Sequence, residues 1–172
     1  MSRDNLLMFA DSEHDANMRY AVRMFVPDPF PYFQIDGQGH MVVSDLELSR
    51  VRHGARHCRV MSLTRCLKAI QADGVKCPTL AHVVCRLLKA RRLKKVFVPD
   101  NFPLALAREL RRLKVRLKLR PGPFFPERAV KTAEEVKKIS AALMMAEVGL
   151  AEGIQALKNA RVVKSRRLIY HN

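Results

Sequence analysis

The sequence predicts an α/β fold, a mixed sheet of about six strands flanked by helices and followed by one long C-terminal helix. Three observations carry this expectation. Short β-rich runs alternate with helical patterns through residues 5–120, the ordering that produces layered α/β domains. Within it, "KKVFVPDNFPLALARELRRLKVRLKLR" (residues 94–120) reads as strand, helix, strand, a unit that closes with a right-handed crossover and its helix packed on the sheet. Finally, "RAVKTAEEVKKISAALMMAEVGLAEGIQAL" (residues 128–157) keeps its apolar positions on a helical period for about eight turns. With 172 residues and 48% hydrophobic composition, one domain and a real core are expected, and disorder is not.

The elements follow in order. "NLLMFA" reads as a first strand, and "DSEHDANMRYAVRM" as a helix with Asp11 or Ser12 as N-cap. "FVPDPFPYF" places Pro27, Pro29 and Pro31 at alternate positions. These forbid a helix and argue against a ladder strand before Tyr32, so the segment reads as a stiff, extended loop. "PYFQIDGQGHMVVSD" reads as a hairpin whose glycines supply the positive φ of a tight reversal. Ser44 or Asp45 then caps the helix "LELSRVRHGA", "CRVMSL" is a strand, and "TRCLKAIQADG" a helix stopped by Gly74. In "PTLAHVVCRLLKARR" the apolar residues Leu80, Val83, Val84, Leu87 and Leu88 follow the amphipathic template. Asn101 is the expected cap of the next helix. In the last strand Val115, Leu117 and Leu119 alternate with Arg116, Lys118 and Arg120, one face dry and the other wet.

The terminal helix opens on Thr132 followed by Glu135, the spacing of a capping box. Its apolar row runs Val136, Ile139, Leu143, Ala146, Leu150, Ile154, Leu157 in steps of three and four. Gly149 and Gly153 inside it cost about 1 kcal/mol each relative to Ala, which suits close packing or a bend. The first turns are expected to pack on the preceding domain, and the row from Ala146 to Leu157 to be exposed or covered by another copy.

Two strings resemble a known family. "ANMRYAVRMFVPDPFPYFQIDGQGHMVVSDLELSRVR" is similar to the opening of the creatinase, prolidase and aminopeptidase P family, where an Asn-x-x-Tyr segment leads through a loop into a hairpin and a Ser-Asp-x-Glu turn. "FFPERAVKTAEEVKKISAALMMAEVGLAEGI" resembles that family's junction, where Arg-x-x-Lys and a capping box open the helix joining the amino-terminal to the catalytic domain. The resemblance covers nearly the whole chain. It implies a creatinase-type amino-terminal domain over residues 1–127, ribonuclease H-like in topology, and a connector helix with the lead into a catalytic domain over residues 128–172, "RRLIYHN" being that lead. The family's catalytic domain carries two Asp, one His and two Glu that hold two divalent metals, manganese or cobalt, and activate water against an Xaa-Pro bond. This sequence shows no region matching those five positions. No catalytic residue, metal ligand or cofactor is therefore assigned to it, and the chain alone is expected to be inert as an enzyme.

The resemblance also implies partners: the absent catalytic domain, a second copy in a homodimer, and proline-containing peptides through the full-length parent. The family's amino-terminal domain can wall the active-site mouth. Phe25, Asp28, Phe30 and Tyr32 are the candidates, in a stretch holding four of the chain's eleven aromatic residues; packing over the sheet edge is the competing role. The face formed by Ala146, Leu150, Ile154 and Leu157 is the candidate contact with the catalytic domain or the second copy.

Charge and cysteine content bound the remaining classes. The net charge is +16, and between residues 86 and 120 thirteen Lys/Arg face only Asp100 and Glu109. An alternative function, binding nucleic acid or another polyanion, would use Arg91, Arg92, Lys94, Lys95, Arg111 and Arg112. Against nucleic acid, Phe97 falls in an expected buried strand and Phe102 beside a helix start, leaving no stacking platform. The bland account is a solvated face. Cys58, Cys66, Cys77 and Cys85 lack zinc-site spacing and read as reduced thiols, and His53 and His57, four apart, have no third ligand in sequence. No basic leader precedes an apolar run at the start and no stretch approaches the roughly 20 apolar residues of a membrane span, so a cytoplasmic location is expected.

Overall fold

The structure is a computed structural model, and it describes residues 4–162 and 168–169. The chain divides into two compact units, Met1–Pro126 and Glu127–Asn172. The first is built on a six-stranded sheet of β1 (Leu6–Ala10), β2 (Phe30–Ile35), β3 (Gln38–Val43), β4 (Cys58–Ser62), β5 (Lys95–Val98) and β6 (Arg116–Leu119), in the order β4-β3-β2-β1-β5-β6. β1 and β3 run antiparallel to β2, and the outer pairs β3/β4, β1/β5 and β5/β6 are parallel. The sheet is therefore mixed, as the sequence predicts.

Strand alternation divides the core into two layers. One face carries Leu6, Met8, Phe30, Tyr32, Met41 and Val43 against α1 (Ala16–Val22), α2 (Asp45–Gly54) and the Phe124–Phe125 pair. The other carries Leu7, Phe33, Val42, Val96 and Val98 against α3 (Leu63–Ala72), α4 (Leu80–Ala90) and α5 (Leu104–Arg112). In the helix layers, Met18 and Val22 of α1, Val51 of α2, Ile70 of α3, Val84 and Leu88 of α4, and Leu106 and Leu110 of α5 are all buried. Both faces are covered at the centre of the sheet, which is why β2 and β3 read as near-continuous apolar runs.

Four local expectations are corrected. α1 starts at Ala16 with Asp15 as its cap, accepting from the Met18 N–H at 2.7 Å, whereas Asp11 caps a separate turn through the N–H groups of Glu13 and His14. β2 begins at Phe30, with Pro31 opposite Phe9 of β1. Its pairing with β3 starts only at Tyr32, so Pro31 has a strand on one side only, the setting in which a ladder tolerates proline. α5 has Pro103 at its N-cap position; Asn101 instead donates to the Asp15 carboxylate at 2.8 Å. In β6 Val115 is buried just before the strand, but Leu119 is exposed, because β6 is the edge strand and α5 covers only its beginning.

The hairpin turns through Asp36 and Gly37, φ 51° and 82°, the two positive values of a type I′ reversal. The second unit contains α6 (Ala133–Asn159), 27 residues without interruption, and the short strands β7 (Arg161–Val162) and β8 (Leu168–Ile169). Its helix starts with the predicted capping box: the Thr132 N–H donates to Glu135 Oε2 at 2.8 Å and the Glu135 N–H to Thr132 Oγ1 at 3.3 Å. Apart from Leu168 and Ile169, the predicted lead at 166–172 lies outside the described residues.

Candidate functional site

The structure distributes the sequence-predicted residues over three surfaces. The first is the segment before β2. Ser12, fully buried, clasps it: its N–H donates to the Val26 carbonyl at 3.0 Å, its hydroxyl donates to the Met24 carbonyl at 2.7 Å, and the Val26 N–H donates back to that hydroxyl at 2.7 Å. Arg50 adds a bond to the Phe25 carbonyl at 2.7 Å. Between clasp and strand, Phe25 is 43% exposed and Asp28 exposed, whereas Phe30 and Tyr32 are 3% and 4% exposed and belong to the core. Tyr32 stands against Gly39, and its burial raises the phenol pKa well above the ordinary range. Phe25 and Asp28 are therefore the members of the group that present side chains outward.

The second surface is basic. Arg91 is committed to the domain, donating from Nη2 to His40 Nε2 at 3.3 Å, and Arg92 takes the left-handed conformation, φ 56°, after α4. Lys94, Lys95, Arg111 and Arg112 are exposed. The residues that the structure adds are on β6: Arg116 lies opposite Lys95 and Lys118 opposite Phe97. Lys95 Nζ sits 4.7 Å from the centroid of the Phe97 ring, a cation–π contact. The strict alternation of cations in "VRLKLR" was the signal for this row.

The third is the apolar row of α6. Ala146, Leu150, Ile154 and Leu157 are brought to one helical face; Leu150 and Leu157 are each 66% exposed and Ile154 is exposed too. A Cβ on Gly149 or Gly153 would meet nothing within 4 Å.

Among the described residues no three His, Cys, Asp or Glu side chains converge as a metal site would require. His53 bonds the Ser49 carbonyl at 2.8 Å and His57 the Ala21 carbonyl at 3.0 Å, and α2 ends between them at Gly54. All four cysteines are free thiols. Burial pushes the Cys58 thiol up to about 11 and raises that of Cys66, the opposite of an activated nucleophile. A cavity of about 320 Å³ beside β4 is lined by Met61, Cys66, Val83 and Leu87 with Arg65 and Arg86 at hand, but Arg86 is paired with Asp73 and no general base stands there among the lining residues.

No helix among the described residues is long and apolar enough to cross a membrane. No protein-family model and no curated protein matches the sequence. Solved structures do match. The chain is similar to the X-Pro aminopeptidase from Thermotoga maritima, with a TM-score of 0.71 and 14% identity, over 94% of this chain and 43% of that one. It is similar to the prolidase from Pyrococcus horikoshii, TM-score 0.64 and 14% identity, over 92% and 40%. A Streptococcus thermophilus Xaa-Pro aminopeptidase structure matches at TM-score 0.50 and 8% identity, over 68% of this chain and 78% of that one. The chain thus spans less than half the length of the first two. A mixed sheet in the order β4-β3-β2-β1-β5-β6, flanked by helices and followed by a long helix, is the fold of the prolidase and creatinase amino-terminal domain.

Proposed function

We propose that this chain is the non-catalytic amino-terminal domain and connector helix of an Xaa-Pro aminopeptidase or dipeptidase. The observation that carries this reading is the match over 94% of this chain and only 43% of an X-Pro aminopeptidase, which leaves that enzyme's larger part without a counterpart here. In this reading residues 1–127 form the domain and residues 128–172 the connector; hydrolysis belongs to the rest of a cytoplasmic parent, which carries two divalent metals, manganese or cobalt. The described residues of this chain do not fit such a pair, since no group of three ligands converges.

The domain's contribution is mechanical. Phe25 and Asp28, held by the Ser12 clasp, wall one side of the active-site mouth, and the Ala146, Leu150, Ile154, Leu157 face docks on the catalytic domain or on the second subunit of a homodimer. Burial of a row of exposed apolar residues is the driving force for such docking.

The test compares the 172-residue chain with the parent read past Asn172. With Mn²⁺ or Co²⁺ added, the parent is expected to release the residue preceding proline from short Xaa-Pro peptides, and the 172-residue chain to release none. Chelation should abolish the parent's activity and leave the melting temperature of the 172-residue chain unchanged. Peptidase activity in the 172-residue chain, or a parent lacking the two-Asp, one-His, two-Glu set, would overturn the assignment. Phe25→Ala in the parent is expected to change KM, with the fold intact by circular dichroism.

A further inference from the structure

A second surface of the first unit has a chemistry unrelated to peptide hydrolysis. β6 is an edge strand, and its residues alternate between the two faces of the sheet. Leu117 packs toward the α4/α5 layer with Val96 and Val98. The opposite face therefore carries Arg116 and Lys118, with Arg120 next in the alternation, and across the ladder Lys95 and Phe97 of β5. Lys95, Arg116 and Lys118 are exposed, and Phe97 and Arg120 half-buried.

This arrangement works against the fold. Lys95 and Arg116 are register partners, and like charges directly opposite each other across a ladder are destabilising. The ion pairs His14–Asp11, Arg50–Glu47 and Arg86–Asp73 include none of these cations. Asp4, two residues ahead of Leu6, whose register partner is Phe97, is the carboxylate nearest to Lys95 by register. Lys95 lies over Phe97 at 4.7 Å and Arg120 over Phe124 at 5.9 Å, contacts that soften the repulsion without cancelling any charge. A polyanion laid along the strand removes it.

We infer that the β5–β6 face formed by Lys95, Phe97, Arg116, Lys118 and Arg120 binds single-stranded nucleic acid. Three features select this occupant. Alternate residues on a strand stand about 7 Å apart, so Arg116, Lys118 and Arg120 form a cation row with a repeat comparable to the phosphates of an extended strand. Phe97, half-buried against the core layer of Leu6 and Met8, stands beside that row with a ring face under Lys95, which a base can displace to stack while the lysine turns to a phosphate. A second copy of this chain, itself carrying +16, brings the same positive face and is excluded by charge. An acidic protein surface matches the charge but makes no use of the ring face that Phe97 turns to Lys95. The inference does not rest on the peptidase reading.

The experiment is fluorescence anisotropy of a labelled 15-nucleotide oligo-dT titrated with the full 172-residue chain between 50 and 300 mM salt. Saturable binding is expected, with log K falling against log salt with a slope of about −2.8 for four phosphates neutralised, and Arg116→Ala or Lys118→Ala should each flatten the slope by about 0.7. Phe97→Leu should weaken binding roughly tenfold at unchanged slope, and Phe97→Tyr should restore it. Lys68→Ala with Lys89→Ala, exposed on the α3/α4 layer of the opposite face, should leave the slope unchanged. Circular dichroism melts confirm that each variant is folded. Absence of binding at 50 mM salt overturns the inference. So does binding indifferent to Phe97→Leu and matched by poly-glutamate, which would assign the face to an acidic protein instead.

Discussion

Arg91, the C-cap of α4, donates from Nη2 to Nε2 of His40 on β3 at 3.3 Å, while His40 Nδ1 stands 3.0 Å from the Gln38 carbonyl. With the proton on Nδ1 the imidazole is neutral and both nitrogens are satisfied. Protonation of Nε2 would put a cation against the guanidinium of Arg91 in a buried position.

His40 should therefore make stability fall on mild acidification. Burial is the largest influence holding its pKa below the ordinary 6.5, with Arg91 and Arg59 acting in the same direction against the Gln38 bond. The unfolded chain then takes up a proton that the folded one resists, so the contribution is fully present above about pH 6.5 and is lost as pH falls through the depressed folded value. His40→Gln is expected to flatten the dependence of melting temperature on pH between about 7 and 5. Arg91→Ala should move the His40 titration, followed by NMR, upward; a downward move would contradict the repulsion assigned here.

Gly39 is in a strand, where the hairpin reading treated it as a turn glycine. A Cβ built on it would lie 2.8 Å from Cys58 Sγ and 3.0 Å from the Tyr32 hydroxyl. Both neighbours are buried side chains of adjoining strands. Gly39→Ala should destabilise by about 1–3 kcal/mol through overpacking, a fall of roughly 2–10 °C in melting temperature for a domain of this size. Cys58→Ala combined with it should recover part of the loss. An additive double variant would mean the collision is not with that sulfur.

These two sites show where sequence reasoning reached and where it stopped. The succession of strands and helices follows from alternation and helical periodicity, which are local and survive packing, so a mixed sheet flanked by helices is legible; the order of the strands within it is set by non-local pairing and is not. The choice among nearby caps was not: Asp11, Ser12 and Asp15 are all good cap residues, and the structure assigns Asp15 because Ser12 is drawn into the clasp with Met24 and Val26. Pro31 was misjudged because the rule against ladder proline concerns strands paired on both sides, and here β3 begins its pairing one residue later. Phe97 was placed inside a buried strand on the strength of "VFV". Val96 and Val98 are indeed buried, and Phe97 packs half-buried against the core layer of the other face; that it also stands beside the β6 cations depends on which strand lies next to β5.

Ser12 gives the third prediction. Its hydroxyl is both donor and acceptor in the clasp, with Met24 and Val26 backbone groups on either side. Removing it in Ser12→Ala strands buried backbone partners and should cost about 1–3 kcal/mol. Hydrogen exchange at the Val26 amide should accelerate with it, and the effect should be larger than at the equally exchangeable amides of β5. Thermal denaturation unchanged from the parent chain would show that the segment is held by packing alone.

The α6 glycines separate helix stability from docking. Neither Gly149 nor Gly153 has anything within 4 Å of a built Cβ, so Gly149→Ala and Gly153→Ala should each stabilise the helix of the 172-residue chain by up to about 1 kcal/mol, seen as a higher helical signal and slower amide exchange along 146–157. In the full-length parent proposed above, the same methyl groups would enter the surface proposed to close on Ala146, Leu150, Ile154 and Leu157. Docking that relies on close approach at the glycines predicts the opposite sign there, a lower melting temperature or weaker association by light scattering. Stabilisation in both the chain and the parent would place this face in solvent throughout, and the connector role would then have to rest on another surface of the helix.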